Sequence, residues 1–199
     1  MDKPFSKEGK TLRQLALSTI KDTQWVPDWG EKRITSMIEN RPDWCISRQR
    51  SWGIPLPIFN CKQCNHTEYK GAFNDAVVIC VRKEGTQAWF TKTPQEILGD
   101  GLSCSSCGAS DFAKEMDILD VWFESGGSFG SVLNENNELP FPANVYLEGS
   151  DQHRGWFQSS LLIGLGALEK APFKEVITHG FIVDDKGRKM SKSQIGRAH

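Results

Sequence analysis

The sequence predicts an α/β fold, and two observations carry that expectation. Residues 144–178 read as strand, helix and strand, the pattern of a βαβ unit. Further back, four of the six cysteines stand as two C-x-x-C pairs, Cys61/Cys64 and Cys104/Cys107, which mark off an inserted module. A chain of 199 residues is long enough for one domain or two small ones.

The βαβ unit is built from short signals. Residues 144–148 (N-V-Y-L-E) are apolar, with a β-branched residue and an aromatic, as strands prefer. Gly149, Ser150 and Asp151 form a turn with two good helix caps. Trp156, Phe157, Ser160, Leu161, Ile163, Gly164, Ala167 and Leu168 then mark one broad apolar helix face, which Pro172 ends. Residues 175–178 are a second strand. Two short strands joined by a helix run parallel, and ligands of such sheets sit beyond the carboxyl ends of the strands. Two groups land there: Glu148 to Gln152, and His179-Gly180 leading to a lysine-rich loop at 189–193.

The rest of the chain is read in order. Residues 9–21 predict a helix with Leu12, Leu15, Ala16 and Ile20 on one face, broken at Val26-Pro27. Asp28 can cap a second helix, with Ile34, Met37 and Ile38 inward and Arg41-Pro42 as its stop. Both helices read as packing elements. Trp44, Cys45 and Ile46 are expected to be buried, and Pro55 and Pro57 deny residues 54–59 a place as a central strand. Between the cysteine pairs, residues 74–84 and 93–98 predict short helices with Trp89-Phe90 packed between them. Residues 118–128 open with alternating apolar residues and end in a glycine turn, and residues 134–138 form a surface loop.

Two C-x-x-C pairs can close a tetrahedral, four-thiolate structural site, with zinc the expected ion. The gap between the pairs is longer than an ordinary ribbon allows, so the intervening stretch makes an excursion of its own. His66 can replace one thiolate, and two reduced, unliganded pairs are the alternative. Cys45 and Cys80 fit neither pair and read as buried small hydrophobes. No apolar run approaches the ~18 residues of a membrane helix, and the N-terminus lacks a signal-peptide core. Together with the cysteine usage this predicts a reducing, cytoplasmic setting and no membrane partner. The net charge of −1 means that any nucleic-acid contact must be local.

K-M-S-K-S at 189–193 resembles the signature loop of class I aminoacyl-tRNA synthetases. Y-L-E-G-S-D-Q-H-R-G-W-F at 146–157, D-W-C-I-S-R-Q-R-S-W-G-I-P at 43–55 and L-D-V-W-F-E-S-G at 119–126 narrow the resemblance to the isoleucyl members. It covers residues 12–193 or so, with the four blocks in the family's order. The resemblance implies the second half of a Rossmann-like nucleotide-binding domain with an inserted zinc-ribbon-like module. The expected divisions are 1–60, 61–117 and 118–199.

The implied activity is ATP-dependent activation of L-isoleucine to isoleucyl-adenylate and transfer to tRNA(Ile), with ATP entering as its Mg complex. The implied catalytic residues are Lys189 and Lys192, and Ser191, His179 and Gly180 join them around ATP. Glu148, Gly149, Asp151, Gln152, Trp122 and Trp156 are the implied isoleucyl-adenylate contacts, with the two tryptophans walling the side-chain pocket. Asp151 can instead cap the helix; His153 and Arg154 read as helix-surface groups or as groups one layer behind the ligand contacts.

The family's H-I-G-H motif is not in this chain, its editing domain is expected upstream, and its anticodon-binding helices are expected downstream. Residues 194–199 depart from the family pattern. We therefore expect a fragment truncated at both ends, with a foreign tail, inactive by itself and drawn from a monomeric parent. Two other readings stay open. One is a zinc-dependent RNA-binding module without catalysis. The other is a valyl or leucyl synthetase fragment.

Overall fold

The computed structural model describes residues 1–190; Ser191 and Lys192, two of the expected ATP contacts, lie outside the described residues. In chain order the elements are α1 (Leu12–Asp22), β1 (Gln24–Val26), α2 (Trp29–Glu39), β2 (Ser47–Arg48), β3 (Phe59–Cys61), β4 (Thr67–Glu68), α3 (Ala72–Glu84), α4 (Ala88–Thr91), α5 (Pro94–Leu98), β5 (Phe112–Lys114), β6 (Ile118–Leu119), α6 (Val121–Gly126), β7 (Ala143–Gly149), α7 (Trp156–Leu168) and β8 (Phe173–His179). They form two units, one made of Met1–Cys45 with the chain from Trp122 onward, the other of Ile46–Val121. No helix among the described residues is long and apolar enough to cross a membrane.

The first unit holds a parallel sheet in the order β1-β8-β7, with α7 as the crossover between β7 and β8. The βαβ expectation is met. Tyr146 pairs with Val176, both buried, while Val145 and Leu147 point outward, so the alternation of one strand sets its register. Ala16, Ile20, Ile34, Ile38, Phe157, Leu161, Leu165 and Val176 make one core. Strand β1 was not foreseen, because residues 24–26 look like a mere break between two helices. Trp25 is buried there while Gln24 and Val26 face outward, an alternation too short to register as a pattern.

Helix α1 starts at Leu12 rather than residue 9, because Thr11 and Gln14 form a reciprocal capping box. Asp28 stands at the start of α2 but makes no side-chain capping bond. The other end of α2 is closed from a distance: the Arg13 guanidinium donates to the carbonyls of Ile38, Glu39 and Arg41. Ile38 and Glu39 stand in the last turn of α2 and Arg41 just past it, where helix carbonyls lack intrahelical partners. Helix α7 is buried on most of its circumference, not on one face. Leu162 and Leu165 are buried, while Ala167 and Leu168, placed on the expected inner face, are exposed. Its buried residues share a core with Tyr146, Phe173 and Val176 of the sheet, and it also packs on α1, so the helix has no single inner stripe. Its end is set by Glu169 in the left-handed region (φ 52°), ahead of Pro172. Gly164 allows that turn to close: a Cβ there would lie 2.7 Å from the Lys170 carbonyl oxygen.

Three further expectations are corrected. Cys45 is exposed and Trp44 and Ile46 are only half-buried; Trp44 packs one face on Phe123 and lies beneath Arg41. Residues 118–128 give a two-residue strand and then α6, because Asp120 turns inward to Arg48 at 2.6 Å. His153, expected on a helix surface or one layer behind the ligand contacts, is wholly buried, which rules out the first of these.

The second unit contains the antiparallel sheet β4-β3-β5 and the short pair β2-β6. Strand β3 begins only after the two prolines. Phe59, Phe73, Trp89 and Phe112 meet largely edge to face and form its core with Ile97 and Leu98. The helices at residues 74–84 and 93–98 form as expected, the latter behind a Thr93–Glu96 capping box.

His153 ties the first unit together. Its Nδ1 lies 3.1 Å from the Ser150 carbonyl, and its ring packs among Trp25, Trp29 and Phe157. Burial, with Arg33 adding repulsion, holds its pKa below the ordinary 6.5 against the pull of the Ser150 carbonyl. The unfolded chain therefore takes up a proton before the folded one does. The contribution is fully present above the unfolded value and is lost as pH falls through the depressed folded one. We predict that the melting temperature falls between about pH 7.5 and about pH 5 more steeply in the unsubstituted protein than in His153→Asn. Parallel pH curves for the two proteins would contradict this.

Candidate functional site

Parallel strands finish on the same edge of a sheet, and the register decides which residues finish side by side. Glu148 pairs with Thr178 and Gly149 with His179. The turn after β7 and the His179-Gly180 step therefore leave the sheet together. Gly149 is buried at their junction: a Cβ there would stand 2.8 Å from Asp151 Oδ1 and 3.7 Å from His179 Cε1. An acidic group and an imidazole thus crowd against bare backbone, as a ligand cradle needs. The Glu148 carboxylate is exposed, and its Oε2 accepts the Gly149 N–H at 3.2 Å. His179 is also exposed, with Nδ1 2.7 Å from the Gly180 carbonyl. A carbonyl oxygen only accepts, so that contact needs a proton on Nδ1.

The turn itself is a 3-10 segment, Ser150–Arg154, so α7 starts later than expected. Gln152, not Asp151, caps that helix: its Oε1 accepts the Trp156 N–H at 2.9 Å, while its amide donates to Asp151 Oδ2 at 3.2 Å. The amide oxygen of Gln152 is thus already committed, and Asp151 keeps an open oxygen. Beyond Gly180 the chain folds back on itself. Val183 bridges Lys189, the Met190 N–H meets the Ile182 carbonyl at 3.0 Å, and Asp184 closes the turn by accepting from Lys186 and Arg188. The Lys189 ammonium rests 3.5 Å from the centroid of the Phe181 ring, a cation–π contact. Of the expected site residues, the structure gathers Glu148, Gly149, Asp151, Gln152, His179 and Gly180 at one sheet edge.

Trp122 approaches the glycine before α7, and Trp156 is the first residue of that helix. Trp122 is 43% exposed, and a Cβ on Gly155 would stand 2.9 Å from its Cη2, so only glycine permits the approach. Trp156 donates Nε1–H to the Ser125 carbonyl at 2.9 Å. Its ring lies on Tyr146 with centroids 4.0 Å apart and planes 4° from parallel. Tyr146 was not singled out beforehand. The signal for it was the strand's alternation, which turns it inward between Val145 and Leu147.

The cysteines of the second unit converge. The sulfurs of Cys61, Cys64, Cys104 and Cys107 all lie within 4.8 Å of one another, with Cys61–Cys107 and Cys64–Cys104 each 3.6 Å apart. Four thiolates around a tetrahedral ion with bonds of about 2.3 Å would sit about 3.8 Å apart, so the donor set fits such an ion. The two knuckles repeat each other bond for bond. Cys61 N–H reaches the His66 carbonyl and Cys104 N–H the Ala109 carbonyl; Asn65 and Gly108, each in the left-handed region, return to the Cys61 and Cys104 carbonyls. The Cys64 backbone N–H, helped by Gln63, pulls the Cys61 thiol down to about 7. At Cys107 the Ala109 N–H pulls down too, but the Cys64 thiol, burial and the other two sulfurs outweigh it and push the group up to about 12. One thiolate forms readily and the fourth does not, unless a cation shares the space. His66 lies outside the cluster, 3.1 Å from Ser105 Oγ and 3.7 Å from Glu68, and does not replace a thiolate.

A family model described as tRNA synthetases class I (I, L, M and V) matches residues 5–197. Among curated proteins, isoleucine–tRNA ligase of Kosmotoga olearia is 56% identical over 182 residues, 92% of this chain and 20% of that protein. The isoleucine–tRNA ligases of Syntrophotalea carbinolica and Geobacter sulfurreducens are 53% and 55% identical over 189 residues, 95% of this chain and 20% of each. The chain thus spans about 20% of the length of the curated relatives it matches. A solved LeuRS–tRNA–LeuAMS complex from Agrobacterium radiobacter overlaps 76% of this chain and 21% of that one, at 26% identity and a TM-score of 0.49.

The four sulfurs make a direct prediction. Titration with cobalt(II) is expected to give the charge-transfer and ligand-field bands of a tetrahedral tetrathiolate at one ion per chain, and Cys61→Ser is expected to abolish that spectrum. No band at stoichiometric cobalt, or an unchanged band in Cys61→Ser, would contradict it.

Proposed function

This chain belongs to the class I tRNA synthetase family, and from that membership we propose that it is part of the catalytic domain of an isoleucine–tRNA ligase. The choice of isoleucine within the family is supported by identities of 53–56% to proteins of that name over more than nine-tenths of the chain. Neither the RNA-binding module nor a valyl or leucyl enzyme has comparable support. The observation that carries the proposal is the register that sets Gly149 beside His179, because it puts a carboxylate tip and an imidazole at one edge.

The reaction has two steps. The carboxylate of L-isoleucine attacks the α-phosphate of ATP, forming isoleucyl-adenylate and releasing pyrophosphate. A ribose hydroxyl at the end of tRNA(Ile) then attacks the acyl carbon and releases AMP. The first step needs no protein nucleophile; it needs orientation and positive charge where pyrophosphate departs. Glu148 would receive the substrate ammonium, with Gly149 allowing close approach and Asp151 offering its open oxygen. Gln152 would act through its amide hydrogens, since its oxygen caps α7. His179 and Gly180 would lie along the adenine and ribose. Lys189, with Lys192 beyond the described residues, would neutralise the phosphates, and Ser191, also beyond them, would offer a hydroxyl. Trp122 and Trp156 would flank the aliphatic side chain.

The cysteine cluster would hold structural zinc. Four thiolates leave no position for water or substrate, so the ion would stabilise the small second unit and take no part in the chemistry. The expected setting is the cytoplasm, and the expected partners are tRNA(Ile), L-isoleucine and ATP with Mg, in a monomeric parent.

The test uses the full-length parent and isoleucine-dependent exchange of pyrophosphate into ATP. Glu148→Gln should raise the KM for isoleucine about tenfold or more and leave that for ATP unchanged, whereas Lys189→Ala should lower kcat by about 10²–10³. Exchange driven by valine or leucine but not by isoleucine would sink the substrate assignment. Full kcat in Lys189→Ala would sink the role of the lysine.

A further inference from the structure

We propose that Tyr146 is a specificity-determining positioning residue, whose ring backs Trp156 and sets the tilt of one wall of the isoleucine side-chain pocket. The inference rests on the reading that Trp156 lines that pocket. It goes beyond that reading by assigning a role to a buried strand residue that no substrate touches.

Trp156 is held at three points. Its backbone N–H donates to Gln152 Oε1 at 2.9 Å, its indole N–H donates to the Ser125 carbonyl at 2.9 Å, and one face lies flat on Tyr146 at 4.0 Å. The first point holds the backbone. The second holds one edge of the ring but leaves the indole free to rock about the N–H···O axis. The stacked face opposes that rocking, with the Phe157 ring tilted against the same indole at 6.2 Å between centroids. Tyr146 is itself immobilised: it is 5% exposed, its hydroxyl lies 3.1 Å from Ser160 Oγ, and its ring packs on Phe173 at 4.9 Å. A strand and a helix core therefore fix the plane that Trp156 presents.

Such a wall matters most where selection depends on shape alone. Valine lacks one methylene of isoleucine, and a hydrophobic pocket distinguishes the two by about 10–200-fold, isoleucyl enzymes being themselves the standard example of that range. A radial gap of about 0.5–1 Å already forfeits a quarter to a half of the dispersion contact. A rocking wall would thus cost isoleucine, which fills the space, more than valine, which does not.

In the full-length parent, amino-acid-dependent pyrophosphate exchange would be measured with isoleucine and with valine for Tyr146→Phe and Tyr146→Leu. Tyr146→Phe keeps the stack and should hold the isoleucine-to-valine ratio of kcat/KM within about twofold, whereas Tyr146→Leu should lower it about tenfold, through the KM for isoleucine. The KM for ATP should not move in either variant. A ratio preserved in Tyr146→Leu, or isoleucine and ATP parameters worsening together, would overturn the inference. If Tyr146→Leu melts below the assay temperature, Tyr146→Met, which refills more volume without a flat face, is read by the same criteria. A parent with no isoleucine-dependent exchange would overturn the functional reading itself. An unchanged ratio in a parent that does activate isoleucine would overturn only the role of Tyr146.

Discussion

The parallel pairing of β7 with β8 is the constraint on which the first unit depends. Tyr146 and Val176 face each other inside the core, and Val145 and Leu147 face out. A slip of one residue would turn Tyr146 outward and bring Val145 and Leu147 in, reversing the burial of the whole strand. Because the strands run the same way, the register held by those buried side chains also decides what stands at the exposed tips. Glu148, Gly149 and the turn after them arrive beside His179 and Gly180 for that reason. Helix α7 makes the arrangement possible, since parallel strands cannot be joined by a tight turn. It enters behind a cap made by Gln152 and leaves through Glu169 in a left-handed conformation.

The second unit solves a different problem. It has few apolar layers, and its core is one aromatic cluster around Phe59. Two knuckles with the same hydrogen bonds bring four sulfurs together at its edge, where the Cys64 and Gln63 N–H groups pull the Cys61 thiol down, while at Cys107 the pull of the Ala109 N–H is outweighed by the Cys64 thiol, burial and the other two sulfurs. A soft dication held there would take the four sulfurs as thiolates and add binding free energy to folding. Lys114 joins the same economy of contacts, donating to the carbonyls of Trp89 and Lys92 and so tying β5 to α4.

Much of this was legible in the sequence where the signal is local. The βαβ order, the two cysteine pairs, the helices at 74–84 and 93–98 and the strand-tip residues all follow from spacing and residue type. What was illegible depends on partners distant in the chain. Arg13 closes α2 from 25 residues away, and Trp25 becomes a strand residue only because Val176 offers an edge. His153 reads as an exposed helix residue until the late start of α7 turns it into the core. Asp28 and Asp151 have the chemistry of caps, but backbone bonds at one site and Gln152 at the other take those roles. Cys45 shows the opposite failure, an apolar-looking neighbour of Trp44 that stays at the surface.

The proposed ligand would occupy the edge where the two parallel strands end. A crystal structure of the full-length parent with a non-hydrolysable isoleucyl-adenylate analogue tests it most directly. The analogue's ammonium is expected within hydrogen-bonding reach of Glu148, with its nucleoside running past Gly149 toward His179. An analogue bound away from this edge, with Glu148 and His179 both facing solvent, would contradict it.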